Sequence, residues 1–217
     1  MNTAIILAAG ISKRFGGETP KQFLKINGKE IIDYSIETFK SSQLINNIII
    51  VVSKEFIPKI KTQYPDLKII EGGKTRKEST YFGLCACHKK TKFVLIHDAA
   101  RIFINPSLIK DCFTSLSKFD AVTTASKITD TIAKFNNNVI ISMRNRDELI
   151  SIQTPQAFHY KKLINSHKKF IGDSTDDIRI MLKNGYKCNF IIGHKNNIKI
   201  TTKEDYILSS KIIKDLK

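Results

Sequence analysis

Long apolar runs are missing from this chain. No stretch approaches the roughly 20 consecutive apolar residues a membrane span requires, and the first segment has neither the basic start nor the length of a secretory signal. The expectation is a cytoplasmic protein that does not enter a membrane. Cysteine is also scarce: Cys85, Cys87, Cys112 and Cys188 are scattered, without the Cys-x-x-Cys pairing of a zinc site, and Cys85 and Cys87 stand too close for a ligand pair. They read as structural thiols in a reducing compartment. Acidic residues are outnumbered, with 20 Asp and Glu against 36 Lys and Arg and a net charge of +16. Such a field attracts nucleic acid without selectivity. The lysines, however, occur singly or in pairs along nearly every predicted helix, and no aromatic ladder alternates with them. No specific nucleic-acid partner is expected, and the positive field suits small polyanions equally well. Two nucleotide-binding signatures are absent too, the Gly-Lys-Ser/Thr of a Walker loop and the Gly-x-Gly-x-x-Gly of a dinucleotide fingerprint.

What is present is an alternation of short apolar runs and amphipathic segments. With 217 residues, 41% of them apolar, the chain can bury one good core and is short for two. Strands are expected at 4–7, 47–52, 67–70, 93–96, 120–125 and 186–192. Helices are expected at 29–40, 54–64, 76–87, 106–118, 159–169, from about 174 to 185 and from about 203. This order implies an α/β fold, a single Rossmann-like doubly wound, mostly parallel sheet forming one domain over 1–217. One stretch does not belong to such a core. Between 127 and 150 two β-like runs flank Asn136, Asn137 and Asn138, and their apolar residues have no partner in a doubly wound sheet. A protruding β-arm is expected there.

The organising stretch is the first strand and the loop after it. Ala8, Ala9 and Gly10 leave backbone amides open to a phosphate, and Gly10 is free to take positive φ. Arg14 and Lys21 set two cations beside that nest, as a triphosphate requires. Gly72, Gly73 and Ser79 form a second candidate, at the carboxyl end of a strand where ligands of open α/β sheets sit, although a turn and an exposed serine explain them equally. Arg76 in the first turn of a helix opposes the positive helix end, a hint of something anionic nearby. His97, Asp98, Ala99, Ala100 and Arg101 begin where the central strand stops. Asp98 can hold a metal ion or a ribose, Ala99 leaves room for a ligand, and Arg101 can neutralise Asp98 or reach phosphate. Gln153 to Phe158 reads as a turn with hydrogen-bonding side chains. Thr175 and Asp176 start a helix with or without a further role. Lys199 alternates with Ile198 and Ile200, so it faces away from them as a positioned cation.

The first loop with Pro20, Lys21 and Gln22 resembles the signature of sugar-phosphate nucleotidyltransferases, with Ser12 where that family usually has its second glycine. His97-Asp98-Ala99-Ala100-Arg101 resembles the motif of 2-C-methyl-D-erythritol 4-phosphate cytidylyltransferases, with Ile102 in place of the usual proline. Thr154-Pro155-Gln156 and Asn197-Ile198-Lys199-Ile200-Thr201 match later motifs of that family in order. The resemblance implies transfer of a cytidylyl group from CTP to 2-C-methyl-D-erythritol 4-phosphate, with magnesium bridging triphosphate oxygens and pyrophosphate leaving. It assigns Arg14, Lys21 and Lys199 to catalysis, and Ala8, Ala9, Gly10, Gly73, Ser79, Asp98 and Ala99 to the nucleotide, with Asp98 also the candidate metal ligand. Arg101, Thr131, Arg146, Thr175 and Asp176 are assigned to the acceptor. It further implies a homodimer in which the arm at 127–150 carries Thr131 and Arg146 across the interface. His97 is not required as a base, because the acceptor phosphate is already an oxyanion. A ribitol 5-phosphate cytidylyltransferase is the nearest alternative, with Ala100 favouring methylerythritol phosphate; an inactive nucleotide-binding protein and an RNA-binding protein are alternatives of another class.

Overall fold

The computed structural model describes residues 1–12, 14–17 and 19–215; Lys13, Glu18 and the last two residues lie outside the described residues. The chain opens with β1 (Asn2–Ala8). A small ribbon of β2 (Lys25–Ile26) and β3 (Lys29–Glu30) then feeds α1 (Ile31–Ser41). Next come β4 (Asn47–Val52), α2 (Ile57–Gln63), β5 (Lys68–Glu71), α3 (Arg76–Cys85), β6 (Phe93–Asp98), α4 (Pro106–Ser115) and β7 (Ala121–Lys127). An excursion, β8 (Ile132–Asn136) and β9 (Val139–Arg144), precedes β10 (Ile150–His159), α5 (Tyr160–Lys169), α6 (Asp177–Lys183), β11 (Cys188–Ile192) and α7 (Lys203–Asp215).

Seven strands form one sheet in the order β11-β7-β10-β6-β1-β4-β5. All its pairings are parallel except those of β10, which runs antiparallel to both β6 and β7. The continuous apolar runs of β1 and β4 are explained by burial on both faces. Ala4, Ile6, Ile48 and Ile50 face one side, where Ile36 and Phe39 of α1, Ile60 of α2 and Cys112 of α4 cover them. Ile5, Ile49 and Val51 face the other, under Leu84 of α3, Leu163 of α5 and Met181 of α6. A third, smaller cluster matters for the site. Ile200 and Ile213 pack with Ile26, Ile31, Ala100 and Ile102, binding the C-terminal segment and α7 to the loop that leaves β6. Ile102 is thus a buried anchor in the place where the resemblance has proline.

Most expected and observed elements agree in type, with ends shifted by a few residues. The β2–β3 ribbon was not expected, and Lys29 and Glu30, expected to open a helix, belong to it. One further segment differs. Gln153 to Phe158, read as a turn, lies inside β10 between β6 and β7. Its register slips between Gln153 and Gln156, and that irregularity lets a proline, which has no N–H for a ladder, sit in an interior strand. The arm is as expected. β8 and β9 form a separate antiparallel sheet turned by Asn137 and Asn138, both at positive φ, and it stands off the core with Phe135 and Ile140 each 68% exposed.

The sheet and α3 meet closely at Gly83. A Cβ there would lie 2.6 Å from Cγ2 of Ile5, which is fully buried. In an open helix, alanine would be favoured over glycine by about 1 kcal/mol, but here the overlap displaces β1. Gly83→Ala is expected to lower stability by about 1–3 kcal/mol, read as a fall in the urea midpoint with an unchanged slope; a gain in stability would refute the close packing.

Candidate active site

The carboxyl ends of β1, β5 and β6 border one cleft of about 780 Å³. It lies at the switch in strand order, since the chain leaves β1 toward β4 on one side and returns to β6 on the other. Open α/β sheets leave their crevice at such a point. Leu7 pairs with Asp98 across that boundary, so the first loop and the end of β6 are side by side.

Ala8, Ala9 and Gly10 line the cleft, as do Arg14, Lys21, Gly73, Ser79, Asp98, Ala99 and Lys199. The loop's backbone is held from behind by Gln22. Its amide, buried in the chain, donates to the carbonyls of Ala8 at 2.6 Å and Gly10 at 3.0 Å. Gln22 thereby occupies two of the loop's carbonyls and fixes its backbone beside the cleft. The sequence motif gives Gln22 no role, and its only signal there is a polar residue beside Lys21 after a glycine-bearing loop. Between Ala8 and Ser12 the left-handed residue is not Gly10 but Ser12, at φ 54°. That corrects the expectation for Gly10 and accounts for the glycine usual at the Ser12 position. A side chain in this region costs on the order of 1–2 kcal/mol. Ser12 offsets part of this through its hydroxyl, which accepts from the Lys21 N–H at 3.1 Å and donates to the Gln22 side chain at 3.4 Å.

Gly72, named with Gly73 and Ser79 in the second candidate, has the tighter steric demand against the first loop. A Cβ on it would come within 2.3 Å of the Ala9 Cβ. The Gly73 N–H donates to the buried hydroxyl of Ser79 at 3.1 Å, so that pair shapes this edge of the cleft.

Asp98 is the centre of the charge arrangement. One oxygen accepts from Arg76 Nε at 3.3 Å and the other from Lys199 Nζ at 2.6 Å. Burial by itself would raise its pKa; Arg76, Lys199 and Arg101 outweigh burial and hold the carboxyl well below the usual range. The anion hinted at by Arg76 is therefore protein: Asp98 and Asp177, the latter accepting from Arg76 Nη1 at 2.6 Å. Burial opposes the charge of Arg76, yet these carboxylates raise its pKa overall. Arg76 also lines the cleft and was not assigned to the site from the sequence.

Lys199 reaches Asp98 because its neighbour is anchored. The Ile200 N–H donates to the Ala100 carbonyl at 2.9 Å, and the Ile200 side chain is fully buried. Lys21 completes the cluster. Partial burial, then the charges of Lys199 and Arg14, lower its pKa to about 8. Lys21 and Lys199, from opposite ends of the chain, thus crowd one cleft with too few carboxylates to neutralise them.

His97 is fully buried, with Nδ1 at 3.2 Å from the Thr154 hydroxyl and Nε2 at 3.0 Å from the Arg101 carbonyl. Burial lowers its pKa to about 4. It ties β6 to β10 and does not face the cleft, in agreement with its exclusion as a base.

The acceptor residues expected from the sequence are not gathered by one chain. Arg101 turns away from the cleft and donates to the Asn197 carbonyl at 2.7 Å, bracing the segment that carries Lys199. Thr175 is exposed outside the cleft. Asp176 caps α6 by accepting from the Ile178 N–H at 2.8 Å, and it takes a second bond from Gln156 at 2.6 Å. Thr131 and Arg146 lie on the exposed arm, where Arg146 donates to the Thr129 carbonyl at 2.7 Å. Their distance from the cleft follows from the arm standing off the sheet.

A family model described as 2-C-methyl-D-erythritol 4-phosphate cytidylyltransferase matches residues 2–215. Among curated relatives, the protein of that name from Thermosipho africanus is 39% identical over 215 residues, spanning 94% of this chain and 95% of its own. The Clostridium novyi protein is 37% identical over 227 residues, spanning all of this chain and 98% of its own. A crystal structure of 4-diphosphocytidyl-2C-methyl-D-erythritol synthase from Anaerococcus prevotii superposes with a TM-score of 0.88 at 30% identity, covering 98% of this chain and 96% of that one. A cation-rich cleft at a strand-order switch and likeness along nearly the whole chain lead to one conclusion: the chain belongs to the 2-C-methyl-D-erythritol 4-phosphate cytidylyltransferase family.

Proposed function

We infer that this chain transfers CMP from CTP to 2-C-methyl-D-erythritol 4-phosphate, releasing pyrophosphate, as a step of non-mevalonate isoprenoid precursor synthesis. The observation that carries the reading at residue level is the convergence of Lys21 and Lys199 on one cleft, beside Arg14 and around Asp98. An oxygen of the acceptor phosphate attacks the α-phosphorus in line; the new P–O bond forms as the bond to the β-phosphate oxygen breaks, and pyrophosphate carries away that electron pair. A phosphate ester of this kind has a second pKa of about 6 and is an anion at pH 7, so the attack needs no general base. The barrier lies in the repulsion between two anions and in charge gathering on the equatorial oxygens.

Fixed cations oppose both effects without reorganising during the reaction. Arg14 and Lys21 take the triphosphate against the amides of Ala8, Ala9 and Gly10, while Lys21 and Lys199 meet the α-phosphate. Gly73, Ser79 and Ala99 border the space for the cytidine. The metal is proposed to be magnesium. Among the described residues no three His, Cys, Asp or Glu side chains gather as a metal cage, and both Asp98 oxygens already take a cation. That donor set suits a divalent ion carried in by the triphosphate, with Asp98 as the nearby protein oxygen. When bound, the ion shields phosphate charge and fixes the triphosphate's shape.

The acceptor end is proposed to be completed by a second copy of the chain. The arm exposes Phe135, Val139, Ile140, Ile141 and Met143, apolar area that a partner would cover. A homodimer of this form brings Thr131 and Arg146 to the partner's acceptor end, with Thr175 and Asp176 at its edge and Arg101 bracing the segment that carries Lys199. A cytoplasmic setting accords with four free thiols and with the lack, among the described residues, of a helix long and apolar enough to cross a membrane.

Lys21→Ala and Lys199→Ala are expected to lower kcat about 10²–10³-fold, as loss of a transition-state donor does. Turnover within about tenfold of the native enzyme, roughly 1.4 kcal/mol of barrier, would refute the electrostatic assignment. Product analysis with CTP, magnesium and either methylerythritol phosphate or ribitol 5-phosphate identifies the acceptor.

Because Lys21 has a lowered pKa of about 8, it loses its proton, and with it its grip on the nucleotide, as pH rises. The kcat/KM for CTP should fall above about pH 8, and Lys21→Arg, which stays charged, should abolish that limb. A pH–rate profile identical for both proteins would contradict this role. Ile140→Asp is expected to yield a monomer by analytical ultracentrifugation, with the KM for the acceptor raised more than that for CTP. A dimer with native kinetics would dismiss the arm as an interface.

A further inference from the structure

The ion pairs around Asp98 do not stop at Arg76. Asp177, fully buried, accepts from Arg76 Nη1 with one oxygen and stands 2.9 Å from His167 Nε2 with the other. Four contacts thus run without a break from His167 in α5, through Asp177, Arg76 and Asp98, to Lys199. Capping does not explain Asp177, because Asp176 provides the α6 cap. Among the described residues the carboxylate of Asp177 serves His167 and Arg76 alone.

His167 is 4% exposed, and the Tyr81 ring stacks on it at 6.2 Å and 16°. Its Nδ1 is buried without a partner. A bare lone pair costs less than a stranded N–H, which assigns the proton at Nε2 to the bond with Asp177. The imidazole is therefore an oriented donor with no other polar task.

We propose that His167 is a positioning residue for the transfer reaction: it locks the Asp177 carboxylate, which seats Arg76, which in turn shares the charge of Asp98 and so fixes the Lys199 ammonium toward the cleft. Arg76 is held more closely by Asp177, at 2.6 Å, than by Asp98, at 3.3 Å. A planar guanidinium gripped at two edges cannot swing; released at Nη1, it keeps only the longer contact. Asp98 is then left chiefly to Lys199 and draws the ammonium onto itself, away from a phosphate oxygen. The inference rests on the reading above in which Lys199 meets the α-phosphate.

The test is steady-state kinetics with CTP, magnesium and methylerythritol phosphate on variants whose folding is checked by near-ultraviolet circular dichroism. His167→Leu removes the donor. His167→Asn is the second variant in case Leu does not fold, because its amide ends near the position of Nδ1 and does not reach Asp177. His167→Gln places an amide N–H near the position of Nε2. The expected result is a kcat lowered about tenfold in Leu or Asn, the size of coupling within one ion-pair network, with the KM for CTP changed by less than about twofold and kcat largely restored by Gln. A helix-packing role alone would follow stability and would not produce this split or rescue. A folded Leu or Asn variant with native kcat, a loss confined to KM, or a Gln variant as slow as Leu overturns the proposal. Lys199→Ala, assayed alongside, separates the two layers: if it retains native turnover the role of Lys199 fails and the inference with it, whereas a crippled Lys199→Ala beside native His167 variants overturns the positioning alone.

Discussion

A single buried carboxylate keeps the cleft end of this protein together. Asp98 is 8% exposed and touches two cations that come from α3 and from the C-terminal segment. Desolvating such charges costs several kcal/mol per ion, and their mutual attraction repays this only with good geometry. The arrangement is therefore weak evidence of stabilisation and better evidence of purpose. Without Asp98, Arg76, Lys199, Lys21 and Arg14 would repel one another around an empty cleft. With it they stay close, yet their positive charge exceeds what the carboxylate neutralises, and after partial burial the neighbouring Lys199 and Arg14 depress the pKa of Lys21 further. A triphosphate is the kind of ligand that relieves it.

The sheet supplies the geometry. Parallel strands β1 and β6 end together, so the first loop and Asp98 become neighbours. β10 then runs antiparallel against β6 and places the Thr154 hydroxyl on the Asp98 N–H at 3.1 Å. Behind the cleft, Asn197 donates to the Thr154 carbonyl at 3.0 Å while its own carbonyl takes Arg101. These polar contacts, with Ile200 in the third apolar cluster, are why a residue outside any regular element is placed as firmly as one in a strand. Arg101 and Asp176, assigned to the acceptor by the resemblance, also brace the scaffold within this chain.

Much of this was legible in the residues alone. Apolar runs ending at Leu7, Val52 and Ile96 gave the parallel strands, because a strand buried on both faces has to be apolar throughout. The asparagine turn at 136–138 marked the arm, because two left-handed residues in succession favour Asn. Gln22, Arg76 and Asp177 were not assigned, since a glutamine, an arginine at a helix start and an aspartate beside a cap each look ordinary until their partners are known. The Thr154-Pro155 segment misled for a related reason: proline signals a turn locally, and only the strands on either side make it part of a sheet.

By itself the sequence determined the alternation of strands and helices, the ordered motifs and the chemical class of the side chains, because all of these are local properties of spacing and residue type. Tertiary structure decided which charges meet. Lys199 finds Asp98 across 101 positions, and Arg76 finds Asp177 across the same number, and no periodicity encodes a pairing at that separation. It also decided that Ser12, not Gly10, takes the left-handed turn, since a backbone angle depends on how the loop closes against Gln22. Motifs named candidate side chains; only packing settled which of them meet.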